Sequence, residues 1–230
     1  MSAENSRKDR CSAAVDSLLR FIHRKDPEAL MKQLKQRFPE SPAILEAGVY
    51  DLRREGLNDS EAQLLSLIPD LARYAVSREF GPHPRLPTLS AASEYLKTRF
   101  IGVQVEQFHL LCLDGTGRMI QCVLLQEGTV DETPFYLTRM LEAAITSNAQ
   151  ALVLSHNHPG GTLHPSNADI QCTLNALTAL PSLRIPLLDH VIVAADKTIS
   201  FRQLGCLEPA LWLNQNPRTP LLLDWLDIEL

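Results

Sequence analysis

The stretch L-V-L-S-H-N-H-P-G-G-T-L-H-P-S-N-A-D, residues 152–169, decides how this chain is read. Its apolar start, residues 151–154, is short enough for a buried strand. The run ends in His156 and His158. Residues i and i+2 of a strand share a face, so the two imidazoles can converge on one point. Pro159, Gly160 and Gly161 make a loop. Pro165 and Ser166 then open a helical pattern whose first turn carries Asp169. Two imidazole nitrogens and one carboxylate oxygen, with room for a water, suit a catalytic Zn²⁺ ion. Part of the pattern has a plainer explanation too. Ser166 and Asp169 stand at capping-box spacing, and a capping box needs no metal.

The combination is what discriminates: His-x-His at a strand end, seven residues, Ser, two residues, Asp. This pattern resembles, without a gap, the signature of the JAB/MPN metalloenzymes, the JAMM motif. Within that group the neighbouring words resemble the RadC family: H-N-H-P-G-G at 156–161, P-S-x-x-D at 165–169 and L-L-D-H-V-I-V at 187–193. The resemblance covers roughly residues 43–205. It implies an α+β (mixed α/β) fold, with a small N-terminal helical domain of helix-hairpin-helix type followed by a JAB/MPN-type domain whose mixed sheet is flanked by helices. It also implies Zn²⁺ held by His156, His158 and Asp169, with water as fourth ligand.

Catalysis by such a site needs a carboxylate that is not a ligand, able to take a proton from water and pass it to the leaving amine. The family supplies a glutamate at the start of an early strand, just after a helix. Glu106, in V-E-Q-F-H-L-L-C-L-D, occupies that place, and Glu127, at the end of the next strand, is the competitor. The hydroxyl of Ser166 would donate to the oxyanion of the tetrahedral intermediate. The implied reaction is hydrolysis of a peptide or isopeptide bond in a protein or peptide substrate. Asp189 and His190 fit a structural or ligand-orienting place. His164 fits a solvated loop and His109 a packed strand. Gly160 stands where related sequences often carry serine, a departure that touches no ligand.

The rest of the chain divides by composition. Helical periodicity marks residues 12–23, 27–37, 43–54 and about 59–80, with breaks at residues 38–42 and at Gly56-Leu57-Asn58. Ser60 and Gln63 show capping-box spacing at the start of the last of these. Three prolines and a glycine in residues 81–87 form a linker, which sets expected boundaries of 1–86 for a helical domain, 87–207 for a metal-binding domain and 208–230 for a C-terminal tail. The second domain shows a helix at 90–100, strands at 105–114 and 119–126 around Gly115-Thr116-Gly117, and a helix at 134–147. After the metal signature come a helix at 166–180 and strands at 190–194 and 198–201 about Asp196-Lys197. The tail carries Trp212 and Trp225, and folding back onto its own domain is the expected use of its apolar run.

The segment L-R-R-E-G-L-N-D-S-E-A-Q-L-L resembles the helix-hairpin-helix at the front of RadC-type proteins. Such hairpins place Gly-x-Gly against a DNA phosphate. Here Asn58 replaces the second glycine, and Glu55 and Asp59 flank the turn with negative charge. The expectation is a structural domain in place of a DNA clamp.

Composition narrows the classes further. Hydrophobic residues make up 45% of the 230 and charged residues 21%, which is ordinary for a globular protein. The net charge of −5 is unevenly spread. The first 86 residues hold 14 Lys/Arg against 13 Asp/Glu, the remainder 8 against 14. An acidic catalytic half is a poor nucleic-acid surface. No apolar run reaches the ~18 residues needed to span a bilayer, and the first residues lack the apolar core of a secretory signal. Five cysteines, with no Cys-x-x-Cys pair, suggest reduced core thiols and a cytoplasmic setting. Two other readings stay open: a DNA-repair or DNA-associated accessory protein, and a non-catalytic JAB/MPN scaffold. The oligomeric state has no signature here.

Overall fold

The structure, a computed structural model, describes residues 3–23, 25–39, 41–128, 133–205 and Trp225. Its contacts divide the chain into two compact units, residues 1–74 and 75–230.

The first unit is helical. It comprises α1 (Ala3–Ile22), α2 (Pro27–Arg37), a 3-10 segment (Ser41–Glu46), α3 (Val49–Arg54) and α4 (Asp59–Phe80), whose last residues enter the second unit. The expected single helix over 43–54 is in fact the 3-10 segment and α3, separated by Ala47 and Gly48; Gly48 is extended and caps α3. Apolar faces of these helices meet in one core, which includes Leu19, Leu34, Ile44, Leu52 and Leu65. α4 is capped two residues earlier than the Ser60–Gln63 spacing suggests. Asn58 Oδ1 accepts from the Glu61 amide at 3.0 Å, and a Glu61 oxygen accepts from the Asn58 amide at 2.8 Å. Asn58 and Glu61 therefore form the reciprocal pair that satisfies the first free amides of the helix. Glu61 is buried and also meets His23 Nδ1 at 3.2 Å.

The second unit is α+β. In order it contains α5 (Leu89–Arg99), β1 (Gln107–Leu113), β2 (Met119–Glu127), α6 (Thr133–Thr146), β3 (Ala151–Asn157), α7 (Asn167–Ala179), a 3-10 turn (Leu180–Leu183), β4 (Leu187–Ala194), β5 (Lys197–Ser200) and α8 (Phe201–Leu204). Among the described residues the five strands lie in the order β2-β1-β3-β4-β5. Only β3 and β4 run parallel, because α7 carries the chain back between them; the other neighbours are antiparallel. The Asp196-Lys197 turn falls one residue earlier than its sequence suggests. Ala195 takes positive φ and Lys197 already pairs with Ala194.

Both faces of the sheet are covered, which explains why β3 and β4 are buried along their whole length and show no alternation. On one face β-strand residues such as Leu110, Leu152, Leu154 and Ile192 pack with Tyr136, Met140 and Ala144 of α6 and with Ala176 and Leu177 of α7. On the other, Leu111, Val153, Leu188 and Val191 pack with Ala92, Tyr95 and Leu96 of α5 and with Trp225. Trp212 and the remaining tail lie outside the described residues. The proline-rich residues 81–87 are also tied down. Leu86 donates its amide to the Gly117 carbonyl at 2.6 Å, and Met119 donates to Pro84 at 2.8 Å. Leu86 is a core residue of this unit.

Candidate metal centre

The centre forms at the C-terminal end of β3. His156 is the penultimate residue of the strand, and His158 follows its end. The His158 amide donates to the Val193 carbonyl at 2.8 Å, prolonging the β3–β4 ladder past the assigned strand. The two rings therefore keep the i, i+2 relation of a strand, with Nε2 atoms 2.9 Å apart. Gly161 turns with φ +78°, and the chain then enters α7. Ser166 caps that helix. Its hydroxyl oxygen accepts from the Asp169 amide at 3.1 Å, and Asp169 Oδ2 accepts from the Ser166 amide at 2.7 Å. Capping box and ligand geometry coincide here, because the carboxylate fixed by the cap lies 3.3 Å from His156 Nε2 and 3.5 Å from His158 Nε2.

Glu106 completes the group. It immediately precedes β1, and its carbonyl accepts from the Gly128 amide at 2.8 Å. Glu106, His156, His158 and Asp169 each offer one ligand atom, and these atoms all lie within 4.8 Å of one another. Glu127 is not in this group; it accepts from the Gln107 side chain at 3.1 Å. His164 and Gly160 are exposed, and a side chain at Gly160 would meet nothing within 4 Å. His109 is buried beside Phe100, and its pKa falls to about 4, first through burial and then through the charge of Arg99. Cys112, Cys122 and Cys172 are free thiols away from the group. Burial pushes the Cys122 and Cys172 thiols up to about 11 and about 12. Cys11 and Cys206 fall among residues whose side chains are not described.

The donors fit a cation. The carbonyl of Thr162 lies 2.8 Å from His158 Nδ1, and a carbonyl can only accept, so that nitrogen carries hydrogen and Nε2 is the nitrogen that faces the group. For Asp169, burial alone would raise the carboxyl pKa. The adjacent His156 and the hydrogen bonds from Ser166 outweigh burial and hold it well below the usual carboxylate range. The result is an ionised carboxylate beside two facing imidazole nitrogens. These are the donor types of a catalytic zinc site with open positions.

A family model for the RadC-like JAB domain matches residues 86–206. The chain belongs to the RadC family. Its relatives include a UPF0758 protein of Leptothrix cholodnii, 32% identical over 77% of this chain and 81% of the relative. Another, from Delftia acidovorans, is 35% identical over 71% of this chain and 73% of its own length. A third, from Azotobacter vinelandii, is 33% identical over 77% and 80% respectively.

Behind the ligand group, this RadC chain buries polar residues that the sequence marked weakly or not at all. His190 lies fully buried, with Nε2 2.8 Å from His156 Nδ1 and Nδ1 2.7 Å from Thr173 Oγ1. Burial holds its imidazole well below the ordinary histidine value. Phe201 stacks on His190 at 4.5 Å, and Phe108 stacks on His156 at 5.6 Å. Asp189 faces away from the ligands. It receives the Ser200 hydroxyl and the amides of His190 and Arg202, joining β4 to the start of α8. Asn157, between the two histidines, accepts from the Gln107 amide at 2.8 Å and donates to the Val105 carbonyl at 3.0 Å. It staples the backbone on both sides of Glu106 to β3. No periodicity could identify Asn157 or Thr173. The only signal was a polar residue at a position that the buried strand or helix face makes costly.

Proposed function

We propose that this RadC-family chain is a zinc-dependent hydrolase of peptide or isopeptide bonds. The convergence of Glu106 with His156, His158 and Asp169 carries the reading. His156, His158 and Asp169 would hold the ion. Zinc, when bound, supplies Lewis acidity and lowers the pKa of water toward neutrality. Glu106 then accepts a proton from the attacking water and delivers it to the leaving nitrogen, changing from base to acid within one turnover. Being half-buried, it can reach the ligand group and still face incoming substrate. Ser166 can serve two partners. Its oxygen accepts from the Asp169 amide, which leaves the hydroxyl hydrogen available to the developing oxyanion.

One observation favours this over the DNA-associated reading. At the start of α4, where a hairpin would offer amides to a phosphate, the Glu61 carboxylate already accepts from Asn58. An anionic side chain there repels a second anion. The free thiols of Cys112, Cys122 and Cys172 support a reducing compartment such as the cytoplasm, and among the described residues no helix is long and apolar enough to cross a membrane.

The test is a screen of peptide and isopeptide substrates with zinc-loaded wild type and Glu106→Gln. Turnover in the wild type, with zinc retained and turnover reduced by about 10²–10⁴ in the variant, is the expected result. A Glu106→Gln protein that hydrolyses as fast as wild type would remove Glu106 from the reaction.

A further inference from the structure

We propose that Thr173 and His190 form a one-way hydrogen-bond relay that places a hydrogen on His156 Nδ1 and so leaves Nε2 as the nitrogen that faces the cation site. This inference deepens the zinc reading and rests on it only for its purpose; the relay itself is a property of the protein without metal.

The direction follows from counting hydrogens. Thr173 Oγ1 lies 2.7 Å from the Asp169 carbonyl oxygen. Two oxygens at that separation need a hydrogen between them, and a carbonyl has none to give. The single hydroxyl hydrogen of Thr173 therefore points at Asp169. Toward His190 the same oxygen can only accept, so the hydrogen in the 2.7 Å contact belongs to His190 Nδ1. Neither ring nitrogen of His190 contacts a carboxylate, and the ring is fully buried, so it carries one hydrogen. Its Nε2 is then a lone pair. The 2.8 Å contact with His156 Nδ1 closes only if His156 supplies the hydrogen. His156 Nε2 is left as the nitrogen that faces His158 Nε2 and Asp169.

The opposite polarity would protonate His156 Nε2 and block its use as a ligand. The relay also spans two elements of the site. Thr173 bonds the carbonyl of Asp169, so the residue that supplies one ligand also sets the tautomer of another. Stacking by Phe201 and Phe108 keeps the two rings from turning out of line. His190 and Thr173 are thus positioning residues that act through His156. Outer partners of this kind typically alter metal affinity by about 10- to 100-fold.

The experiment uses the full chain with ¹⁵N-labelled histidine. Long-range ¹H–¹⁵N spectra of the metal-free protein distinguish Nδ1–H from Nε2–H, and zinc affinity is measured by chelator competition. The wild type should show Nδ1–H on both His156 and His190. Thr173→Val keeps the side-chain shape but removes the acceptor; His190 should lose its Nδ1–H preference and zinc affinity should fall about 10- to 100-fold. Thr173→Ser should restore both. Nε2–H on His156 in the wild type would overturn the proposal. So would a Thr173→Val protein with unchanged tautomers and zinc affinity within about twofold of wild type. A wild type that binds no zinc would sink the hydrolase reading, and the tautomer spectrum would still decide the relay.

Discussion

The Nε2 atoms of His156 and His158 face each other at 2.9 Å, each with its Nδ1 committed elsewhere, to His190 and to the Thr162 carbonyl. Two imidazole nitrogens at that distance repel unless a proton or a metal cation lies between or beside them, and Asp169 adds a negative charge from α7. The purified protein should therefore contain about one zinc per chain, measured by elemental analysis. His158→Ala and Asp169→Asn should each lose it. Removing zinc with a chelator should lower the melting temperature, since free zinc at about a thousand times its Kd stabilises by about 4 kcal/mol. Wild type without metal after zinc is supplied, or a melting temperature indifferent to chelator, would contradict the site.

Asn157 connects the two halves of the centre. Its amide bonds to Gln107 and Val105 hold the chain on either side of Glu106 against the end of β3. Asn157→Ala removes an acceptor and a donor together and leaves backbone groups without partners. It should destabilise the fold by about 1–3 kcal/mol. Zinc should stay, because no ligand is lost. Hydrolysis should fall mainly through kcat, because Glu106 is no longer held beside His156, His158 and Asp169. A variant with normal kcat would show that Glu106 is placed by the β1–β2 ladder alone.

The metal signature was legible because its spacing maps directly onto geometry: i, i+2 on a strand and a cap three residues before a carboxylate. The five strands and their flanking helices were legible for the same reason, each being a short apolar run or a helical period. Boundaries failed where tertiary partners extend an element. Leu187 joins β4 ahead of the expected start at His190 because Leu152 of β3 pairs with it. Residues 81–87 look like a free linker by composition, yet Leu86 packs in the core and Pro84 and Leu86 bond to the β1–β2 turn. Asn58 looks like a lost glycine and is a helix cap. The relay through Thr173 could not be seen, since it depends on how α7 faces β4.

Asp189 gives a pH dependence. Burial raises its carboxyl from 3.8 to about 6, against the bonds from Ser200 and Arg202 that lower it. In the unfolded chain it ionises near 3.8, in the folded chain near 6. The folded state thus holds its proton more tightly, an advantage fully present below the lower value and lost as pH rises through the higher. Asp189→Asn retains an acceptor for the two amides and cannot ionise. The stability of wild type relative to this variant should fall by about 2 kcal/mol between about pH 4.5 and about pH 7.5. Urea unfolding of both proteins across that interval is the measurement. A difference independent of pH would mean that the carboxyl stays ionised throughout.

Glu61 is a cap and a barrier at once. Its carboxylate accepts from Asn58 at the start of α4 and meets His23, while Asn58 accepts from its amide. Glu61→Ala should destabilise the helical unit by about 1–2 kcal/mol, as loss of a helix cap does, and Glu61→Gln, which can still accept, by less. The same carboxylate occupies the place a phosphate would need. Wild type should then bind labelled single-stranded or branched DNA weakly, with little change between about 50 mM and about 200 mM salt. Neutralising the site with Glu61→Gln should strengthen any such binding, because the helix N-terminus is no longer screened by a fixed anion. Fluorescence anisotropy on both proteins reads this. Tight wild-type binding with a steep salt dependence, unaltered in Glu61→Gln, would show that DNA contacts a surface other than the hairpin and would revive the DNA-associated role.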